Sequence, residues 1–172
     1  DDHIRQVECR ELQLDEIWSF VGKKKANLRT TDDPTKGDAW TWVALDPESK
    51  LVPAHHVGKR TEADALALTK TLSRRVEGRI QISTDKLAAY RWAIHCHLGG
   101  SIHGDSQVDY GRIVKRYKGG PLDSGRYSPP VVVGVEKDAI YGDPDPDRIC
   151  TSHVERQNLT MRTQMRRFTR LT

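Results

Sequence analysis

Three carboxylates stand where an acid is out of place. Asp15 interrupts the alternating apolar and aromatic run Glu11–Val21, ELQLDEIWSFV. Asp85 directly follows the strand-like RIQIST of residues 79–84. Glu155 is the one acid among five arginines in the last stretch, residues 151–172. An acid inside an apolar strand is costly unless it is paired or binds a cation. If the three converge, their mutual repulsion calls for cations between them. Hard divalent ions prefer such all-oxygen ligand sets, and Mg2+ keeps positions free for water and phosphate. A pair of such ions can serve phosphoryl transfer. Each acid also has a plainer reading: Asp15 as a strand-edge residue in water, Asp85 as the N-cap of the next helix, Glu155 as one charge on a solvated helix.

The elements that would carry these acids follow from periodicity. In residues 11–21, Leu12, Leu14, Glu16, Trp18 and Phe20 alternate with Gln13, Asp15, Ile17, Ser19 and Val21, so Asp15 and Glu16 face opposite ways. A polar loop with Lys23-Lys24-Lys25 leads to two more strands, Ala39–Asp46 and Leu51–Val57, joined by a tight turn at Pro47. This predicts an antiparallel meander, with Pro53 marking an edge or a bulge. A helix opens at Thr61, where Asp64 completes a capping box, and Gly78 ends it. The strand at 79–84 comes next, then a helix over Leu87–Leu98 stopped by Gly99-Gly100. In open α/β sheets the carboxyl ends of strands line the binding crevice, which is where Asp85 falls.

The remainder is less regular. Val108–Tyr110 reads as a short fifth strand, residues 117–130 as a Gly- and Pro-rich loop, and Val131–Glu136 as an added strand or hairpin arm. Asp143–Asp147 is a proline-stiffened turn that lacks the Gly and terminal Glu of a calcium loop. The last helix is expected over Thr151–Thr172, capped by Thr151 or Ser152. Val154, Asn158, Met161, Met165 and Phe168 would form its packing face, with Glu155, Arg162 and Arg166 on the adjoining stripe. The order β-β-β-α-β-α, then α, predicts an α/β fold: a central mixed five-stranded sheet, its first three strands antiparallel, flanked by helices. One domain is expected over residues 1–172, with 1–10 as a flank and 111–150 as an irregular insertion.

The net charge is +4, and residues 151–172 carry all of the excess, since the other 150 residues balance at 23 basic and 23 acidic. A basic surface beside an acid cluster suits a polyanion such as nucleic acid, while a solvated basic tail is the plainer alternative. Cys9, Cys96 and Cys150 are odd in number and widely spaced, as expected in a reducing compartment. His95-Cys96-His97 lacks a second ligand pair and reads as the end of a helix rather than a zinc site. No apolar run is long enough to span a membrane, and no leader pattern stands out, so a cytoplasmic setting is expected. Trp18 and Trp92 are expected in the core rather than stacked on bases.

The segments LDEIWSFVGKK, WTWVALD, GKRTEADA, STDKLAAY and SHVERQNLTMR occur in this order. Together they resemble the insertion-sequence-one type of bacterial transposase, a member of the DDE transposase and retroviral-integrase group with an RNase H-like fold. The resemblance covers most of residues 11–172. It implies a Mg2+-dependent enzyme, with Mn2+ as a substitute, that cuts and transfers strands of an insertion sequence. It implies Asp15, Asp85 and Glu155 as catalytic and metal-binding residues. Asn158 and Arg162 would help place the helix and the DNA phosphates, joined by Lys86 and Arg166, with Lys115 and Lys118 behind them. Transposon ends and target DNA would be the partners of a homo-oligomer in the bacterial nucleoid. The N-terminal zinc-ribbon and helix-turn-helix region of such relatives has no counterpart here. The rival readings are a non-catalytic nucleic-acid-binding relic and a hybrid-cutting nuclease that would need a fourth acid, for which Asp46 is the candidate.

Overall fold

A computed structural model describes residues 4–103, 105–118 and 131–168. The strands are β1 (Val7–Glu8), β2 (Glu11–Val21), β3 (Gly37–Leu45), β4 (Ala54–Gly58), β5 (Val76–Glu77), β6 (Gln81–Thr84), β7 (Asp109–Tyr117) and β8 (Val132–Tyr141). The α-helices are α1 (Glu62–Ser73), α2 (Ala88–Leu98) and α3 (Ser152–Gln164). The main sheet has six strands in the order β4-β3-β2-β6-β7-β8, and β1 pairs with β5 in a separate parallel pair. The meander β2-β3-β4 is antiparallel, β6 and β7 continue it parallel to β2, and β8 returns antiparallel. The protein is therefore α/β with a mixed sheet, one strand wider than the five expected.

Strand alternation divides the sheet's two faces. Leu12 and Leu14 of β2 share a core with Trp42, Ala44, Ile82 and the inward residues of α1 and α2, among them Leu68, Leu72, Tyr90 and Ile94. Each such side chain, when fully buried, contributes about 1.5–3 kcal/mol. The opposite face is thinner: Val43, Leu45 and Val154 cluster under α3. Thr61 caps α1 as expected, accepting from the Asp64 N–H at 3.4 Å. Gly99 ends α2 in the left-handed region at φ 71°, also as expected.

Several boundaries differ from the sequence reading. β7 is nine residues rather than three, and β8 extends to Tyr141, so most of the described residues of the stretch expected as an irregular insertion form a strand pair. The loop expected over 117–130 lies mostly outside the described residues. α1 ends at Ser73, because Val76–Glu77 is recruited by β1. α3 stops at Gln164, where Met165 turns extended before a 3-10 turn at Arg166–Phe168. Arg166 thus leaves the helical stripe it was expected to share with Glu155.

Candidate functional site

The parallel register of β2 on β6 builds the site. Leu14 lies abreast of Thr84, the last residue of β6. The next residue on each chain is an acid, so Asp15 and Asp85 come together at the end of the shorter strand. β2 runs on past that point, and Glu16 turns to the face covered by α1 and α2. One carboxylate oxygen each from Asp15, Glu16 and Asp85 lies within 4.8 Å of the others. Asp85 also accepts the Leu87 N–H at 2.8 Å, one residue ahead of α2. The N-cap of α2 is Leu87, so the N-cap reading of Asp85 is not met.

Glu155 arrives from the other face, and buried polar side chains on the strands hold its helix there. Gln13, fully buried on β2, accepts the His153 and Val154 N–H groups at 3.0 and 3.2 Å. It caps α3 from a neighbouring strand. The expected capping hydroxyl is otherwise engaged: Thr151 Oγ1 donates to Glu155 Oε1 at 2.6 Å. Ser83 Oγ accepts the Cys150 N–H, and Gln81 exchanges two hydrogen bonds with the Asp145 backbone at 2.8 and 3.1 Å. Gly111 leaves room for buried Ile149; a Cβ there would stand 2.4 Å from Ile149 Cγ1.

Asp15, Asp85 and Glu155 border one cleft of about 380 Å3, together with Lys86, Ile113, Val114, Lys115 and Tyr117. Lys115 donates to Glu155 Oε1. Asn158, on α3, donates to Asp15 Oδ2 at 2.8 Å. Burial, together with the charges of Asp85 and Glu155, pushes the Asp15 carboxyl up to about 6, against hydrogen bonds from the Glu16 backbone and Asn158. Burial, then Asp85 and Asp15, pushes Glu16 up to about 7, against the pull of Arg60 and Tyr90. Arg60 Nε donates to Glu16 Oε1 at 2.7 Å, and its Nη2, paired with the same oxygen, lies 3.8 Å from Asp85 Oδ2. Tyr90 donates to Glu16 Oε2 at 2.9 Å. The donor set is all oxygen, and burial with the neighbouring negative charges holds Asp15 and Glu16 above the usual carboxylate range. That chemistry fits a hard divalent cation.

The sequence reading missed Glu16, Arg60, Tyr90 and Gln13. Glu16 carried a signal, an acid on the apolar side of the alternation. Asp46, the candidate fourth acid of the rival nuclease reading, is tied into its own turn, accepting from the Glu48 N–H and the Ser49 hydroxyl, and it lines a different cleft. Lys86 is exposed at the acidic cleft, and Arg162 is half-buried on α3. Arg166 borders a separate cleft with Phe20, Val21 and Phe168, and Lys118 is exposed beyond the end of β7. Trp18 is half-buried against Phe20, but Trp92 is 50% exposed, contrary to the core placement expected for it. His95 and His97 bond to Gly100 O and Thr69, and among the described residues neither joins a metal-type cluster. No family model matches the chain, and no curated protein matches it.

Proposed function

We propose that the protein is the catalytic domain of a DDE-type DNA transposase with an RNase H-like fold. The observation that carries the reading is the meeting of Asp15, Asp85 and Glu155, from three separate elements, on one cleft beside Lys86 and Lys115. The strand order β4-β3-β2-β6-β7, a meander continued by two parallel crossovers, supports the finer fold assignment. Mg2+, or Mn2+ in its place, would be held by these three acids and would supply Lewis-acid activation of phosphate and water.

The chain's own groups bind and orient. Lys86 and Lys115 attract the phosphate backbone. Asn158 fixes the Asp15 carboxylate, and Thr151 with Lys115 fixes that of Glu155. Arg162 and Arg166 meet flanking phosphates. Cleavage is an in-line displacement: a water oxygen bonds to phosphorus as the bond to the 3′ oxygen breaks, and that oxygen takes up a proton. Strand transfer repeats the displacement with the freed 3′ hydroxyl as nucleophile on a target phosphodiester, releasing the target's 3′ oxygen. Transposition handles two element ends at once, so the active form is a homo-oligomer on bacterial nucleoid DNA. No described helix is long and apolar enough to cross a membrane.

The test is nicking of supercoiled plasmid DNA in Mn2+ or Mg2+. The wild type is expected to nick it, and Asp85→Ala to lower the rate at least about 100-fold, the scale of losing one group that stabilises transition-state charge. Full activity in Asp85→Ala overturns the assignment. A wild type that neither nicks DNA nor binds Mn2+ through Asp15 supports the relic reading instead.

A further inference from the structure

α2 carries a second feature, which the acidic cleft does not use. Trp92 is half exposed on its outer side, an unusual position for so large an apolar surface. His95 stacks on it, with ring centroids 5.3 Å apart and planes at 30°. His95 is itself fixed, because its Nδ1 donates to the Gly100 carbonyl at 2.6 Å. Tyr141 forms the facing wall, its ring centre 6.3 Å from that of His95 and its hydroxyl donating to the Arg91 carbonyl at 3.2 Å. Gly100 is what lets Tyr141 sit there, since a Cβ would stand 2.5 Å from the Tyr141 ring. The result is an apolar slot of about 360 Å3, lined also by Ala88, Arg91, Ile102 and His103.

We propose that this slot holds one unpaired nucleobase of a DNA strand whose backbone runs on into the acidic cleft, an inference that rests on the DNA-processing reading of that cleft. A flat heteroaromatic ring matches the Trp92–His95 face, because aromatic surfaces gain most from stacking planar partners. An aliphatic side chain or acyl chain has no use for a stacked face with a cation at its rim. Arg91 supplies the positive charge that the base's own phosphate requires. The two cavities adjoin along the chain: Lys86 borders the acidic cleft and Ala88 the slot, with only Leu87 between them. From Lys86, on the acidic cleft, to Trp92 the chain spans at most about 13 Å, two extended residues at about 3.3 Å each and then a helix rise of about 6 Å. That is a span of up to about four nucleotides at about 3.4 Å per nucleotide in a stacked strand. The slot therefore takes a base within a few nucleotides of the scissile phosphate. It selects DNA that is single-stranded or locally opened there, since a paired base cannot enter.

The experiment measures binding of a short oligothymidylate and of a duplex of equal length by fluorescence anisotropy, in EDTA so that cleavage plays no part. The wild type is expected to bind the single strand, with quenching of tryptophan emission. Trp92→Ala is expected to weaken single-strand binding about 10-fold or more, with less effect on the duplex, as loss of one stacking platform implies. Trp92→Phe retains most of the affinity. Ala88→Phe puts a bulky ring on the slot's lining while leaving Trp92 in place, and it reproduces the loss. Unchanged single-strand affinity in both Trp92→Ala and Ala88→Phe, or an equal loss on duplex, overturns the slot and leaves the acidic cleft untouched. Failure of the wild type to bind either DNA overturns both readings together.

Discussion

Asn158 donates one hydrogen bond to Asp15 and leaves its own Oδ1 buried with no partner. The donation to a carboxylate stabilises by about 1.5–3 kcal/mol, and the orphaned acceptor costs about 1–3 kcal/mol. The two nearly cancel, so Asn158 adds little net stability; what it does is hold Asp15. Asn158→Leu, close in volume, is accordingly expected to change unfolding stability by less than about 1 kcal/mol. It removes one of the two hydrogen bonds that restrain Asp15, so the Asp15 carboxyl must titrate above its present value of about 6. Carboxyl-carbon NMR across a pH series reads this directly. A midpoint that stays at about 6 or falls would show that Asn158 does not anchor Asp15. The same substitution is expected to weaken Mn2+ binding, because a ligand that has lost its orientation must be ordered at binding.

At the scale of elements, α3 is attached to the sheet by amides and a hydroxyl more than by hydrophobic area. Only Val154 and Asn158 of α3 are buried. Gln13 takes up the slack by accepting two N–H groups from the first turn of the helix. Gln13→Ala leaves both donors without this partner, the Val154 N–H in a buried setting, and a cost of about 1–3 kcal/mol follows. Because Glu155 sits on that first turn, hydrogen exchange of the His153 and Val154 amides should accelerate while the β2-β3 amides keep their protection. Uniform acceleration across the sheet would mean that Gln13 is simply a core residue. The sequence could not show this attachment. Gln13, Gln81 and Ser83 are polar residues alternating with apolar ones, yet all three are buried and their partners lie about 65 to 140 residues away. The meander, by contrast, was legible, because alternation and turn residues are local properties. β7 and β8 were read short for the opposite reason. The parts that went unread, residues 111–117 and 137–141, mix charged and apolar residues without a period of two, so no alternation marks them.

At the scale of the molecule, the placement of three carboxylates from distant positions on one cleft was legible, since each acid stood out against its own local pattern. Their electrostatic cost was not, because it depends on burial and on the unexpected Glu16. Asp15 rises from 3.8 to about 6, through burial and then the charges of Asp85 and Glu155, and Glu16 from 4.5 to about 7, through burial and then the charges of Asp85 and Asp15. Arg60 and Tyr90 face Glu16, and Lys115 faces Glu155, so the cluster is only partly neutralised. A carboxyl whose folded pKa lies above its unfolded value binds protons more tightly in the folded state. Its contribution to stability is then complete below the unfolded pKa and is lost as pH rises through the folded one. The depressed carboxyls, Asp32, Asp33, Asp64, Asp105 and Asp109, act in the other direction and only below about pH 4. Between those limits Asp15 and Glu16 set the sign. The metal-free protein should lose stability as pH climbs from about 5 to about 7 and level off above that. A bound divalent cation favours the ionised carboxylates, so its stabilisation should be small at the acid end and largest where both are charged. Thermal melts in EDTA and in saturating Mn2+ across this range test the linkage, with Asp15→Asn as the control. Asp15→Asn should flatten the EDTA curve and remove most of the Mn2+ response. A Mn2+ shift of equal size at both ends of the range would place the ion elsewhere, because only ligands that titrate in this window make cation binding and pH interdependent.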